Sequence, residues 1–302
     1  MSTALHSTDA SAASPKSLSE DFDLNDWCAR IPGLERRGEG DWRAANAADV
    51  SYPEGGHRTL AHIEAASYWF NHRNDVIAAV VARHPPGGTI FDVGGGNGYV
   101  SLALSRAGHD VAVVEPGPEG AATARERKLP VIEAAFQDLD IPAGSIPACG
   151  LFDVLEHIEA ESDALRNLAS IIRPGGMLYI AVPAYSWLWS SEDVHAGHFR
   201  RYSRSRLNAV VAAAGFEPLY STYFFRALVG PLFALRTAPS ALGLAKRQSA
   251  SGVESDHTLP GGPVGKVIQS SFDSELRKIS EGGSAPFGTS VMIAARKPDR
   301  AG

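Results

Sequence analysis

A glycine-rich turn between an apolar segment and a helical segment does most to limit the folds open to this chain. Residues 91–98 read Phe-Asp-Val-Gly-Gly-Gly-Asn-Gly and follow an apolar run that begins at Thr89. Glycine lets a backbone turn tightly and approach a ligand closely because it has no Cβ. Glu115 ends the next apolar run, about 20 residues further on, where a carboxylate can accept hydrogen bonds from both ribose hydroxyls of a nucleoside. The pattern predicts a strand, a turn and a helix that bind a nucleoside-containing cofactor.

The rest of the chain alternates predicted strands and helices in the same way. We predict strands at Thr89–Val93, Asp110–Glu115, Pro130–Ala135, Ala148–Asp153, Met177–Val182, Glu217–Phe224 and Thr289–Arg296. Helices are predicted between most of them, among them Ser203–Ala214, which Gly215 closes. Such alternation is typical of an α/β protein with a doubly wound, mainly parallel sheet.

Composition divides the chain into five predicted parts. These are a disordered leader (1–20), a helical cap (21–86), a cofactor-binding core (87–226), a helical and flexible insertion (227–285), and the last strand with a tail (286–302). The first part of the insertion, Leu228–Leu244, is apolar, and we expect it to pack against the sheet or a second subunit; the alternative is a membrane-surface helix for a lipid-linked substrate. Its middle, Gln248–Gly265, is rich in Ser, Gly and Pro and is expected to be mobile.

Charge and cysteine content exclude several classes of function. The 302 residues include 28 Lys and Arg and 34 Asp and Glu, and the net charge of −6 argues against non-specific binding to nucleic acid or anionic membranes. Cys28 and Cys149 cannot build a disulfide framework or a cysteine zinc site. No apolar run approaches ~18 residues, and the N-terminus lacks the features of a secretory signal. We expect a cytoplasmic protein with no nucleic-acid partner and no stable membrane insertion.

The spacing of the glycines distinguishes two kinds of nucleoside cofactor. The dinucleotide fingerprint G-x-G-x-x-G fails in both registers, because its third glycine would fall on Tyr99 or Ser101. The turn instead reads D-x-G-x-G-x-G, which resembles motif I of class I S-adenosylmethionine-dependent methyltransferases. The resemblance covers nearly all of Trp69–Phe225 and the last strand. It implies a Rossmann-like sheet of seven strands with the last antiparallel, S-adenosylmethionine as cofactor and S-adenosylhomocysteine as product.

The resemblance also assigns the residues that bind the cofactor. It places Asp92 near the cofactor's ammonium group, Asp138 at the adenine amino group and Phe152 beside the sulfonium. The expected set comprises Asp92, Gly94, Gly96, Asn97, Gly98, Glu115, Pro116, Phe136, Gln137, Asp138 and Phe152.

Two later segments supply candidates for catalysis and acceptor binding. Residues 153–158, Asp-Val-Leu-Glu-His-Ile, are similar to a segment of many such methyltransferases, and His157 there is either a general base or a structural residue. Residues 182–202 are dense in aromatic and ionisable side chains and resemble a bacterial subgroup of the family. The expected catalytic residues are His157, His195, His198 and Asp193. The residues expected to contact the acceptor are Tyr68, Trp69, Tyr185, Trp189, Arg201 and Tyr202.

Two further features have both a functional and a purely structural interpretation. Asp193, His195 and His198 have the side-chain chemistry of metal ligands, but the resemblance implies no metal, and none is expected. Tyr68 and Trp69 lie in a helical segment that resembles a lid over the cofactor, although an aromatic stripe at helical spacing is also typical of core packing.

Three functions are consistent with this pattern. The first is transfer of a methyl group from S-adenosylmethionine to a small-molecule acceptor, with a histidine as the candidate base when a hydroxyl is methylated. A macromolecular or lipid-linked glycan acceptor is the alternative within the enzyme class. The second function is nicotinamide-dependent oxidoreduction, which the glycine spacing disfavours. The third is non-catalytic cofactor binding in a partner protein. The sequence does not decide whether the chain forms a homodimer, and it does not identify the acceptor or the methylated atom.

Overall fold

A computed structural model describes residues 22–45, 64, 67–243 and 261–299 of the chain. Within these ranges nine strands form one sheet in the order β1-β2-β5-β4-β3-β6-β7-β9-β8. The strands are β1 (Leu34–Gly38), β2 (Asp41–Ala44), β3 (Ile90–Val93), β4 (Val111–Val114), β5 (Val131–Glu133), β6 (Ile146–Phe152), β7 (Ile172–Pro183), β8 (Glu217–Phe224) and β9 (Ser290–Arg296).

The register of the central strands confirms a mainly parallel α/β sheet. Strand β3 pairs in parallel with β4 on one side and with β6 on the other, and β6 pairs in parallel with β7. Strand β9 is antiparallel to both β7 and β8, so the prediction of an antiparallel last strand is confirmed. Because the parallel strands end at one edge of the sheet, the loops that follow them lie together there.

The predicted count of seven strands is wrong, because two more strands extend the sheet at the β5 side. Strands β1 and β2 form an antiparallel hairpin, and β2 pairs in parallel with β5. Residues 34–44 were expected to be helical. They are extended because β5 would otherwise be an open edge, and the hairpin is fixed there by Trp42, which is 4% exposed, and by Arg125, which contacts Asp41 at 2.7 Å.

The helices lie on both faces of the sheet. They are α1 (Leu24–Ala29), α2 (Tyr68–Arg83), α3 (Tyr99–Arg106), α4 (Pro118–Glu126), α5 (Glu161–Ile171), α6 (Ser191–Ala196), α7 (Arg204–Ala213), α8 (Val229–Leu232), α9 (Ala238–Ala241) and α10 (Gly262–Ser280). Strand side chains alternate between two cores: Phe91 packs with Trp27 of α1 on one face, while Ile90 packs with Ile77 of α2 on the other. This two-faced burial confirms the doubly wound architecture.

The described part of the predicted insertion is mostly helical, and residues 281–285 at its end are not. Short helical turns run from Arg226 to Ala241, and α10 packs its buried Phe272 and Ile279 in the same core as α2. Most of the segment expected to be mobile, Gln248–Gly265, lies outside the described residues, as does the predicted leader. The division into five parts stays a prediction. Among the described residues, no helix is both long and apolar enough to cross a bilayer.

Candidate functional site

The glycine turn after β3 adopts the conformation that its spacing predicts. Gly94, Gly96 and Gly98 have φ values of +70°, +52° and +71°, in the left-handed region that favours glycine. A Cβ on Gly98 would lie 2.7 Å from Leu129 Cδ1. The alternate glycines are therefore required both by backbone conformation and by close packing, and they bring the backbone amides to the carboxyl edge of the sheet.

Asp92 is buried near the end of β3, beside this loop. It is 1% exposed, and its Oδ2 accepts a hydrogen bond from Ser101 Oγ at 2.6 Å. Burial raises the pKa of Asp92 to about 6, although the Ser101 hydroxyl and the Arg73 charge oppose the shift. A cationic group placed here would favour the charged carboxylate. Ser101 is a partner that the sequence analysis missed.

Glu115 connects the glycine turn with the loop after β4. Its Oε2 accepts from the backbone N–H of Gly96 at 2.9 Å, and its Oε1 accepts from that of Gly117 at 2.6 Å. A carboxylate offers about four acceptor positions, which is more than these two backbone bonds use. Glu115 is 5% exposed and Pro116 beside it is half-buried. The two backbone bonds hold the carboxylate in one orientation.

The loop after β5 and the end of β6 each contribute a buried aromatic ring. Phe136 is buried at the start of a 3₁₀ turn, Phe136–Asp138, in which Gln137 and Asp138 are exposed. Phe152 is 6% exposed at the end of β6, and its ring lies where a Cβ on Gly150 would be, at 2.3 Å. Phe136 packs in the core on one face of the sheet and Phe152 in the core on the other. The exposed Gln137 and Asp138 beside Phe136 are suited to the exocyclic polar groups of a planar base.

A second polar network, missed from sequence, holds the glycine turn from outside. Arg127 contacts Glu64 at 2.7 Å and also donates to the backbone carbonyl of Asn97 at 2.6 Å. The Asn97 amide in turn donates to Glu64 at 3.3 Å. Because these residues are separated by 30 or more positions, no local spacing signal could have revealed them.

Backbone strain marks the same edge of the sheet. Of the four non-glycine residues with positive φ among the described residues, three lie within two positions of a strand's end here: Asp153 (57°), Tyr185 (59°) and Phe225 (62°). Such conformations cost about 1–3 kcal/mol each and persist where surrounding contacts enforce them. Asp153 is held by Arg73, whose Nη1 lies 2.5 Å from its Oδ2. Neither residue was predicted, although Asp153 follows a strand at the cofactor edge, which is a usable signal.

An acid and two imidazoles meet just beyond β6. Glu156, His157 and His198 each present a ligating atom, and these atoms all lie within 4.8 Å of one another. The two imidazole rings stand edge to face with centroids 4.7 Å apart. Glu156 is 0% exposed, and neither of its carboxylate oxygens has a hydrogen-bond partner in the described part of the chain. We call these three residues the acid–imidazole cluster.

Asp193 fixes the orientation of His198. Its Oδ1 lies 2.9 Å from His198 Nδ1, and Arg201 binds both its oxygens at 2.6 and 2.9 Å. Burial alone would raise the pKa of Asp193, but the hydrogen bonds from His198 and Arg201 outweigh it and lower the pKa to about 2. Asp193 is therefore an ionised acceptor. Nδ1 of His198 is the donor, and Nε2 is left as the basic nitrogen.

The other predicted catalytic and acceptor residues do not all join this cluster. His195 is exposed in the last turn of α6. Tyr202 is fully buried and its hydroxyl donates to Glu161, so it has no surface for an acceptor. Arg201 is occupied by Asp193 and by the backbone carbonyl of Ala184. Arg201 and Tyr202 therefore support the site from the protein interior.

The aromatic residues are divided between the edge and the core. Tyr185 stacks between Tyr223 and Trp187, with centroids 5.0 and 5.4 Å away. Trp69 stacks on Phe225 at 5.4 Å, and Tyr68 on Phe272 at 5.9 Å. Trp189 is half-buried beside the turn that precedes α6. Contact of Tyr68 and Trp69 with a cofactor or acceptor stays a prediction, since their stacking partners are core residues.

The sheet order, the glycine turn and the two buried acids beside it, Asp92 and Glu115, define a class I methyltransferase that uses S-adenosylmethionine. A family model described as a methyltransferase domain matches residues 64–221, just over half of the chain. The chain belongs to this methyltransferase family.

Similar proteins agree with this assignment. A Mycobacterium tuberculosis protein named "Probable S-adenosylmethionine-dependent methyltransferase" is 25% identical over 195 residues, which are 63% of this chain and 71% of the relative. A "Ubiquinone biosynthesis O-methyltransferase" of Xanthomonas campestris is 34% identical over 116 residues, which are 36% of this chain and 48% of the relative.

Solved structures share the fold at lower identity. One is a chain of the complex between the Haloferax volcanii Trm112 methyltransferase activator and a methyltransferase, with a TM-score of 0.52 and 16% identity over 80% of this chain and 97% of that chain. Another is Haemonchus contortus phosphoethanolamine N-methyltransferase 2 with S-adenosylmethionine, with a TM-score of 0.50 and 16% identity over 82% of this chain and 58% of that one.

Proposed function

We propose that this methyltransferase methylates a hydroxyl group of a small molecule. The observation that carries the proposal is the oriented imidazole of His198, which lies beside His157 with a buried, ionised Asp193 on its Nδ1. A hydroxyl must lose a proton to become a good nucleophile, whereas a free amine or a thioether need not. An imidazole held by a carboxylate is the usual arrangement of a general base.

The cofactor fits the residues at the carboxyl edge of the sheet. Asp92 offers a buried carboxylate to a cationic group, Glu115 offers oriented acceptors to a ribose, and Phe136 offers a buried ring to a base. When bound, S-adenosylmethionine supplies an activated methyl group, so the chain needs to align the acceptor, exclude water and take its proton.

The acceptor site lies next to the acid–imidazole cluster. His198 Nε2 is the basic nitrogen that takes the acceptor's proton, and Asp193 stabilises the imidazolium that results. The Tyr185 and Trp187 rings present stacked aromatic surface near the same loop, which suits an acceptor with an apolar or aromatic body. The similarity to a protein named as an O-methyltransferase supports the choice of oxygen.

Labelled S-adenosylmethionine tests this proposal directly. The full chain would be incubated with the methyl-labelled cofactor and a cell extract separated into small-molecule and macromolecular fractions. We expect label in the small-molecule fraction, as a methyl ether identified by mass spectrometry. His198→Asn should lose at least about 100-fold in rate, the low end for a general base. His195→Asn, at the end of the preceding helix α6, is the matched control. Label confined to protein, nucleic acid or glycan would refute the proposal.

A further inference from the structure

We infer that the acid–imidazole cluster of Glu156, His157 and His198 is a binding site for one divalent transition-metal cation, such as Zn²⁺ or Mn²⁺. The inference deepens the proposed function in one respect: the acceptor hydroxyl is the ligand expected at the cation's open positions. The site itself rests on contacts that are independent of the acceptor's identity.

The donor set matches such a cation. Two imidazoles and one carboxylate form the ligand combination that holds divalent first-row metals while leaving positions open for substrate. Ligating atoms bound at about 2.0–2.2 Å lie roughly 3–4.4 Å apart around one ion. The cluster's atoms lie within 4.8 Å of one another, close to that range, and the His157 side chain is exposed.

Glu156 is the independent observation that indicates a ligand. Its side chain is completely buried, and both oxygens lack a hydrogen-bond partner among the described residues. Buried polar groups in folded proteins are nearly always paired, so each unpaired one needs an explanation. A cation between Glu156 and the two imidazoles supplies the missing partner for this carboxylate.

The residues around His198 hold it in the way that proteins hold a metal-bound histidine. Metal-bound histidines usually donate their second N–H to a carboxylate, which fixes the ring and its tautomer. His198 does so through Nδ1 to Asp193, which Arg201 and the backbone N–H of Ser190 hold in place. The His198 loop is also fixed to the Glu156 segment, since the backbone N–H of Phe199 donates to the Glu156 carbonyl at 2.8 Å. Nε2 of His198 is therefore presented as a ligand in a preformed position.

The residues with ligand chemistry in the sequence, Asp193, His195 and His198, form a different set, and no metal was expected there. In the structure Asp193 orients His198, and His195 is exposed. A cation at the cluster lowers the pKa of a hydroxyl that it contacts. With His157 and His198 as ligands, the activated hydroxyl would lose its proton to solvent water and not to His198.

Titration with Co²⁺ tests for the metal site without a turnover assay. The tag-free full chain, treated with EDTA and freed of chelator, would be titrated with Co²⁺ alone, and its visible absorption and bound stoichiometry recorded. We expect one Co²⁺ per chain, displaced by Zn²⁺. Glu156→Gln and His157→Ala should each weaken binding at least tenfold, whereas the matched control His195→Ala should leave it unchanged.

Two results would overturn the inference. One is wild-type protein that binds no stoichiometric Co²⁺; the other is His195→Ala weakening binding as much as His157→Ala, which would indicate adventitious surface histidines. Calorimetric titration of the same samples with S-adenosylmethionine separates this failure from failure of the proposed function. Normal cofactor binding and hydroxyl methylation without metal binding would refute the cation site and leave the proposed function standing. Metal binding without hydroxyl methylation would refute the proposed acceptor and leave the cation site standing.

Discussion

Replacing Glu115 with Gln should weaken cofactor binding sharply while leaving the fold intact. In the wild type both carboxylate oxygens accept backbone N–H groups, from Gly96 at 2.9 Å and Gly117 at 2.6 Å, and the residue is 5% exposed. Glutamine keeps the shape and one acceptor oxygen but loses the charge and the second acceptor. One charge-assisted hydrogen bond is worth about 1.5–3 kcal/mol. Loss of one such bond to the cofactor raises the Kd about 10- to 100-fold.

The assay is calorimetric titration of wild type and variant with S-adenosylmethionine, alongside thermal unfolding of each protein. Glu126→Gln is the matched control, because Glu126 is exposed on the neighbouring helix α4. We expect the control to bind as the wild type does. If Glu115→Gln also binds with wild-type affinity, the reasoning that places the ribose at this carboxylate is refuted.

Three further changes test the packing and electrostatics of the same edge. Asp193→Asn should destabilise the protein by about 3–5 kcal/mol in urea denaturation, because it leaves the buried Arg201 without its ionised partner. Gly98→Ala should cost about 2–5 kcal/mol by the same measurement, since it adds left-handed strain and a contact of 2.7 Å to Leu129. Burial raises the folded-state pKa of Asp92 to about 6 from 3.8. This shift stabilises the folded state by about 3 kcal/mol below pH 4, and that stability is lost as the pH rises through 6. Asp92→Asn should remove that part of the pH dependence.

Each of these outcomes can go the other way. An Asp193→Asn protein as stable as the wild type would mean that Arg201 finds water or another acceptor. A neutral Gly98→Ala would mean that Leu129 moves aside and the turn relaxes. If wild type and Asp92→Asn show the same stability difference between pH 4 and pH 7, then burial does not perturb the Asp92 carboxyl.

The central strands and the cofactor turn could be predicted because their signals are local. Gly94, Gly96 and Gly98 need left-handed backbone, and an apolar run such as Val111–Val114 is buried on both faces, so few other structures suit these residues. Glu115 is likewise located by its distance along the chain from the turn. In such segments propensity and burial agree, which is why expectation and structure coincide.

The hairpin β1–β2 could not be predicted because its stability comes from distant residues. Both strands are short and β1 is mostly exposed. Strand β2 is extended because β5 offers an edge and Arg125 holds Asp41. Local sequence offers no comparable signal. The helical expectation for this region was wrong because pairing with the open edge of β5 outweighs the weak helical period of the sequence.

The acid–imidazole cluster shows the same limit within the site. The Glu156–His157 pair was visible in the sequence, but His198 is more than forty positions away and one of four candidate catalytic residues named there. Which of them meet is decided by the bond between Asp193 and His198 and by the chain path that exposes His195. The complete burial of Glu156 is a property of packing that no spacing rule encodes.

The most direct test of the account is a calorimetric titration of the full chain with S-adenosylmethionine and, separately, with NAD. Asp92→Asn serves as the matched variant, because it removes the charge of the buried carboxylate and keeps its shape. The account predicts saturable binding of one S-adenosylmethionine per chain, weakened at least tenfold in the variant, and no binding of NAD. Binding of NAD, or S-adenosylmethionine affinity that Asp92→Asn leaves unchanged, would contradict the assignment of this edge as the cofactor site.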